Sequence, residues 1–306
     1  MTKLHIIQDT PPLLDLDAAI AMAQQAIRVA AQDGADLVVF PETWLGGYPS
    51  WVFGMAGWDS AEARHWFGKL VEASLVLDSA PGRALCDAAR EAGITVVMGI
   101  NERARSSASI LFNSMITIGP DGTLLNVHRK LLPTHTERNV WAPGDAAGLL
   151  AVDTPAGRIG GLVCWEHWHP LARHALHASD EQIHIAAWPD MPISHQLACR
   201  TYAFEGRCFV VSAATYLPVA RVPEALREAF ISGLGGEDGL KGGSGVVGPD
   251  GEFLVGPVFG GETVVATIDL ADTIRFKHDL DVVGHYDRRD VFNLTVNRRR
   301  EIGGAV

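Results

Sequence analysis

Ile159-Gly160-Gly161-Leu162-Val163-Cys164-Trp165-Glu166-His167-Trp168-His169-Pro170 is the stretch that decides how the chain is read. An apolar run ends on a thiol and turns polar and aromatic at once, the pattern of a buried strand running into the start of a helix. A thiol at that junction is well placed to attack, because helix-end amides favour its thiolate. Two other runs share the design. Leu37-Val38-Val39-Phe40-Pro41 delivers Glu42, and Leu124-Leu125-Asn126-Val127-His128-Arg129 delivers Lys130. If the three strand ends converge, they set a carboxylate, an ammonium and a thiol around one cleft. Such a set can perform nucleophilic addition with proton transfer and needs no metal.

Outward from these runs, short β-branched or leucine-rich segments alternate with helical patterns, which marks an α/β layered fold. Strands are expected at 4–9, 36–41, 94–100, 110–118, 123–128, 149–153, 158–163, 183–188, 208–214, 244–248 and 263–269. Helices fit at 16–32, 60–74, 81–92, 169–178, 194–206 and 223–230. Gly119-Pro120-Asp121-Gly122 and Gly248-Pro249-Asp250-Gly251 read as turns between extended runs, so the sheets are mixed, and the shared tetrapeptide hints at a repeat. No composition break or linker divides the chain, and residues 1–306 read as one domain with a C-terminal arm from about residue 286. The glycine-rich segment Gly233 to Gly245 lacks a phosphate-loop ending and reads as a mobile surface or cleft-edge loop.

With 306 residues, 47% of them hydrophobic, the chain can bury a large core. Its formal charge of −11 disfavours a nucleic-acid partner, since a polyanion is repelled at long range. The one dense basic stretch, Arg298-Arg299-Arg300, reads as a solvated terminus or an oligomer contact. No run is long enough to span a bilayer and no signal-peptide core opens the chain, so neither a membrane nor secretion is expected and the location reads as cytoplasmic. The four cysteines, Cys86, Cys164, Cys199 and Cys208, show no C-x-x-C spacing and read as free thiols.

A lone cysteine in an apolar strand is usually an inert small hydrophobe, and Cys86, Cys199 and Cys208 fit that description. Cys164 departs from it because polar groups crowd in directly behind. Its thiol, with a reference pKa of about 8.5, needs a cation or helix end to ionise at neutral pH, and Lys130 can supply the charge. Glu42 is either a loop cap or a buried carboxyl whose raised pKa lets it take and return protons. Glu137 either orients Lys130 or pairs with Arg138, and the ion pair with Arg138 is the simpler reading. Five histidines between His167 and His184 lack the spacing of a zinc helix and read as exposed helix residues or pocket lining. Tyr48, Trp165, Trp168 and Trp188, with Trp44 and Trp51, crowd the strand ends. Core packing is the commoner use of such rings, yet here they suggest an apolar pocket for an uncharged, aromatic substrate.

Phe40-Pro41-Glu42-Thr43-Trp44 with Gly47-Tyr48-Pro49, His128-Arg129-Lys130-Leu131-Leu132-Pro133-Thr134, Glu137-Arg138 with Trp141 and Gly144-Asp145, and Cys164-Trp165-Glu166 together resemble the nitrilase branch of the carbon-nitrogen hydrolase superfamily. Asp281-Val282-Val283-Gly284-His285-Tyr286 and Asp290-Val291-Phe292 extend the resemblance over nearly the whole chain. It implies a four-layer α-β-β-α sandwich that dimerises and can extend into a spiral or filament. It implies Cys164 as nucleophile, Glu42 as general base and acid, Lys130 as stabiliser of the tetrahedral species and Glu137 as a second glutamate of the site. Tyr48, Trp165, His167, Trp168 and Trp188 become candidates for contacting the substrate, an organic nitrile of arylacetonitrile or aromatic type, with no metal and no cofactor. An amidase or carbamoyl hydrolase, a cyanide dihydratase and a noncatalytic scaffold are the alternatives. His167-Trp168-His169-Pro170 replaces the Asn-x-Met-Pro of many members, a departure that bears on substrate preference.

Overall fold

The chain opens with β1 (Thr2–Ile6) and continues into α1 (Leu16–Gln32), where Ile20, Ala23, Ile27 and Ala30 form one buried stripe. Asp15 caps the helix by accepting from the Ala18 amide at 2.9 Å, and Gly34 at φ +72° lets the chain turn away. In this computed structural model residues 1–55, 57–300 and 302 are described. After α1 come β2 (Leu37–Val39), α2 (Ala61–Glu72), α3 (Ala80–Ala92), β3 (Thr95–Arg103), β4 (Leu111–Ile118) and β5 (Leu124–Arg129). The second half holds β6 (Val152–Thr154), β7 (Gly157–Val163), α4 (Pro170–His177), β8 (Ile183–Trp188), α5 (Ile193–Gly206) and β9 (Phe209–Ala214). It ends with β10 (Tyr216–Leu217), α6 (Glu224–Phe230), β11 (Leu240–Val247), β12 (Phe253–Phe259), β13 (Val264–Ile268) and α7 (Ala271–Phe276).

One sheet runs β13-β1-β2-β3-β4-β5 and the other β10-β11-β9-β8-β7-β6, with β12 added on β11. In each, three central strands are parallel (β1, β2, β3 and β7, β8, β9) and the flanking pairs are antiparallel. Side-chain alternation assigns the faces. Val38 and Phe40 pack with Ile20, Ile27 and Leu85 of the outer helices, whereas Leu37 and Val39 join Leu162, Ile185 and Trp188 in the core between the sheets. The layering is therefore α-β-β-α, as the resemblance implied. The sheets approach closely at Gly161, where a Cβ would stand 2.4 Å from Met115 Cε and 2.7 Å from the Ile185 carbonyl oxygen.

Both Gly-Pro-Asp-Gly turns close hairpins in corresponding places, β4–β5 and β11–β12. Their bonding matches: Gly119 donates to Thr123 and Gly248 to Glu252, each at 2.8 Å. The shared tetrapeptide thus marks a structural correspondence between the two sheets.

Three expectations are corrected. The segment Gly233 to Gly245 is not a loop throughout, because its last residues enter β11, where Gly245 lets the Val255 carbonyl approach within 2.5 Å of where a Cβ would be. β12 and α7 were not anticipated. β12 carries Gly256 and Pro257, residues that disfavour a central strand but are tolerated because this strand lies outermost, paired on β11. The arginine tail is only partly solvated: Arg298 and Arg299 are exposed, but Arg300 pairs with Asp145 at 3.0 Å and donates to the Val127 carbonyl at 2.7 Å, and Arg298 donates to the Leu149 carbonyl at 3.3 Å. Past α7 the described residues form turns and extended chain, and the end of the expected arm, 301 and 303–306, lies outside them. No helix among the described residues is long and apolar enough to cross a membrane.

Candidate active site

Glu42 lies two residues beyond Phe40 at the end of β2, in a path that exists only because Gly99 has no side chain. A Cβ there would stand 2.1 Å from the Pro41 carbonyl and 2.7 Å from Glu42 Cα. Lys130 follows β5 directly, its amide donating to the Asn113 carbonyl on β4 at 2.8 Å. Cys164 follows β7 in the left-handed region, at φ +55°, and opens a short 3₁₀ turn through Trp168. Thr43 (φ +46°) and His135 (φ +47°), beside the other two strand ends, share that uncommon conformation. Non-glycine residues persist there only where their surroundings hold them, and such sites cluster at functional positions.

The three strand ends meet. Lys130 Nζ donates to Glu42 Oε1 at 3.1 Å and to Glu137 Oε2 at 2.8 Å, with all three side chains buried. Glu42 Oε1 also accepts from Asn113 Nδ2 at 2.6 Å, while its Oε2 has no protein partner. Glu137 is fixed on its other side by the Tyr48 hydroxyl at 2.5 Å and receives the Thr134 amide at 2.6 Å. Arg138 donates instead to the Pro133 carbonyl, so the ion pair of Glu137 with Arg138 is replaced by one with Lys130. Cys164 is buried within electrostatic range of Glu42, Lys130 and Glu137, and the neighbouring Trp165 backbone N–H favours its thiolate form.

Charge in this pocket is strongly redistributed. Burial, reinforced by Glu137, pushes the Glu42 carboxyl up to about 7 against the pull of Lys130 and Asn113. Burial alone would lower the Lys130 ammonium, but Glu42, Cys164 and Glu137 outweigh it and hold the lysine above its ordinary value. Burial and the Glu42 charge push the Cys164 thiol well above the usual range, more than Lys130 and the Trp165 amide can reverse. The expectation of a preformed thiolate is therefore corrected. Lys130 is shared between two carboxylates, so its charge does not ionise the sulfur, and the thiol keeps its proton until a base removes it.

Glu166 staples the lysine strand to the nucleophile strand. Its Oε1 accepts from the Leu131 amide at 2.7 Å, and its Oε2 accepts from the Val163 amide at 2.8 Å and meets His128 Nε2 at 2.9 Å. Burial would raise this carboxyl, but the His128 charge and these hydrogen bonds hold it below the ordinary value. Asn101 does similar work on the opposite side, donating to the Leu45 and Gly47 carbonyls and accepting from Trp141 Nε1 at 2.9 Å.

The substrate-contact candidates divide. Tyr48 sits in the site, committed to Glu137, stacks with Phe53 and meets Trp141 edge to face. Trp165 brings its backbone amide to the sulfur, but its indole is 57% exposed, and Trp168 is 42% exposed. His167 and Trp188 are buried beneath the nucleophile turn, stacked at 4.6 Å. His177 and His184 are buried too, so three of the five histidines are neither exposed nor lining a surface pocket, and burial replaces that expectation. The sequence reading passed over Asn113, Asn101 and Glu166 as working residues. The signal for Asn113 was available, since an amide inside the apolar run 110–118 must find a partner when buried. Among the described residues no cluster of three or more such side chains has metal-holding geometry.

The carbon-nitrogen hydrolase family profile matches residues 3–278. A nitrilase of Pseudomonas syringae pv. syringae is 38% identical, with 96% of this chain and 89% of that protein covered. An aliphatic nitrilase of Sinorhizobium fredii is 36% identical, covering 97% of this chain and 96% of that one. The crystal structure of a carbon-nitrogen hydrolase from Helicobacter pylori G27 superposes with a TM-score of 0.69 at 19% identity, over 95% of this chain and 96% of the other, a likeness of fold. A buried carboxylate, ammonium and thiol at three strand ends of an α-β-β-α sandwich, together with these likenesses, place the chain in the carbon-nitrogen hydrolase family, in its nitrilase branch, among hydrolases acting on carbon-nitrogen bonds other than peptide bonds.

Proposed function

We propose that the protein hydrolyses an organic nitrile to the carboxylic acid and ammonia. The observation that carries this reading is the Lys130 ammonium clamped between Glu42 and Glu137 beside a protonated thiol. Glu42 Oε2 takes the thiol proton as the sulfur bonds to the nitrile carbon, and the proton passes to the nitrile nitrogen, giving a thioimidate. A water then adds to that carbon, Glu42 relaying its proton to nitrogen while Lys130 and the Trp165 amide face the developing negative charge. Glu42 then takes the proton of the new hydroxyl and returns it to nitrogen as ammonia departs, leaving a thioester, and a second water gives its hydroxyl to the acyl carbon and its proton to the sulfur, releasing the acid and restoring the thiol.

Aromatic or arylacetonitrile substrates are the class we infer, supported by Tyr48, Phe53 and Trp141 packed beside Glu137. An aliphatic substrate is the second reading, favoured by the name of the Sinorhizobium relative. Ammonia release from a panel of arylaceto-, aromatic and aliphatic nitriles, cyanide and matched amides tests both. Amide turnover equal to or above nitrile turnover would replace the reading with an amidase, cyanide alone would make it a cyanide dihydratase, and no release from any would leave a scaffold. We also infer self-association as at least a dimer. Leu171 on α4 and Ile193, Leu197 and Phe204 on α5 are exposed apolar side chains on two adjacent outer helices, and light scattering reads the mass directly.

A further inference from the structure

Beneath Cys164 lies a row of buried titratable side chains that the chemistry above does not use. His167 Nδ1 lies 2.6 Å from the Cys164 carbonyl oxygen, His167 Nε2 lies 3.0 Å from His184 Nε2, and His184 Nδ1 lies 2.9 Å from Glu181 Oε2. Three successive hydrogen bonds need three protons, and two neutral imidazoles carry two. We propose that the row His167–His184–Glu181 holds one extra, shared proton, and that through it His167 acts as a positioning residue, locking the left-handed turn that aims the Cys164 sulfur.

The fold makes room for this row. A Cβ on Gly160 would stand 2.4 Å from Glu181 Oε2, and one on Gly206 would stand 2.4 Å from His177 Nδ1, so both neighbouring strand and helix carry glycine where the cluster sits. Glu181 is anchored by the Tyr202 hydroxyl of α5 and by His177 of α4 at 3.3 Å, and the His184 charge with these contacts holds its carboxyl down at about 2 despite burial. From α4, Arg173 donates to the His167 carbonyl at 3.0 Å and pairs with Glu205 of α5. His195 of α5 faces His167 across Trp188, while His128 of β5 acts on His184 and Cys208 on Glu181.

The anionic Glu181 fixes which bond fails when the extra proton leaves. It keeps a proton on His184 Nδ1, so His184 Nε2 must accept from His167 Nε2. The bare nitrogen is then His167 Nδ1, facing the Cys164 carbonyl without a hydrogen, and the nucleophile turn loses its tie. Burial, reinforced by His184, holds the His167 ring well below the ordinary histidine range, and burial outweighs the pull of Glu181 to hold the His184 ring below it too, so the extra proton is held on the acid side. The tie is present at low pH and lost as pH rises.

An asparagine amide presents its nitrogen at the position of His167 Nδ1, keeps the donor and does not titrate, so His167→Asn separates the proton from the bond. This test rests on the nitrile-hydrolysing reading for its activity arm. The expected result is a fall in native kcat, relative to His167→Asn, as pH rises on the acid side of the ordinary histidine range, with His167→Asn retaining at least about a tenth of native kcat and His167→Leu falling about 100-fold at about pH 5. Superimposable native and His167→Asn pH profiles, or equal kcat in His167→Asn and His167→Leu, would overturn the proposal. ¹⁵N NMR of histidine-labelled native protein at about pH 5, with the His167 and His184 signals assigned by their loss in His167→Asn and His184→Asn, decides the matter without turnover: both nitrogens protonated on one of these two rings is expected, and two neutral rings would overturn it. A native enzyme that turns over no nitrile but carries that imidazolium would sink the substrate reading and leave the row standing.

Discussion

The sheet from β13 to β5 and the sheet from β6 to β12 repeat one plan: an antiparallel outer strand, three parallel strands, then a hairpin closed by Gly-Pro-Asp-Gly. Phe40-Pro41-Glu42 leaves the middle parallel strand of the first, and Trp188-Pro189-Asp190 leaves the middle parallel strand of the second. Yet Glu42 is sealed against Lys130, whereas Asp190 is partly exposed and, among the described residues, its carboxylate pairs with His195 alone, at 3.4 Å. The first half supplies the Glu42 carboxyl and the Lys130 ammonium, and the second supplies the Cys164 thiol from the strand equivalent to β1. The scaffold sets where side chains can converge. Which strand ends carry ionisable groups, and how deeply each is buried, sets the chemistry.

The largest effect should separate those two carboxylates. Glu42→Gln should lower kcat about 1,000-fold, while Asp190→Asn stays within about tenfold, as initial-rate ammonia assays would measure. In the native enzyme kcat/KM should rise with pH through about 7, because Glu42 must be ionised to take the thiol proton, and that limb should vanish in the Glu42 variant. Comparable losses in both variants would break the asymmetry. Next, Glu166→Gln, which weakens the staple between halves, should cost about 3 kcal/mol of stability at neutral pH. The Glu166 carboxyl is depressed in the fold, so its contribution is full above the unfolded value of 4.5 and fades as pH falls below it; paired melting curves should converge in acid. Gly161→Ala, wedged between the sheets, should cost about 2 kcal/mol in denaturant titrations. The smallest effect compares the paired turns. Gly122 (φ +81°) and Gly251 (φ +82°) are equally strained by a side chain, at about 1 kcal/mol each. Gly122→Ala should melt lower than Gly251→Ala, because its Cβ meets the Cys86 carbonyl at 2.7 Å rather than a carbonyl at 3.2 Å.

Periodicity made most of the strands and helices legible, since a buried parallel strand is an uninterrupted apolar run and α1 repeats every three to four residues. It also exposed Glu42, Lys130 and Cys164, because each ionisable group ends such a run. Convergence was not legible. It depends on Gly99 leaving space for the Glu42 backbone and on left-handed turns at Thr43, His135 and Cys164, none of which has a local signature. Proton placement was hidden for a related reason: Lys130 reads as a cation available to ionise the thiol until Glu42 and Glu137 are both seen holding it. β12 was obscured by Pro257, and the tail arginines by their charge, since nothing along the chain says that Asp145 waits for Arg300.

β13 closes the first sheet by pairing antiparallel with β1, five residues against five across almost the full length of the polypeptide. During synthesis that sheet therefore keeps a naked hydrogen-bonding border from the moment its N-terminal strand forms until residue 268 clears the ribosome. A translation product truncated before Val264 carries a sticky flank in place of a finished one, and the nascent chain depends on chaperones or speed to keep it from seizing a neighbour.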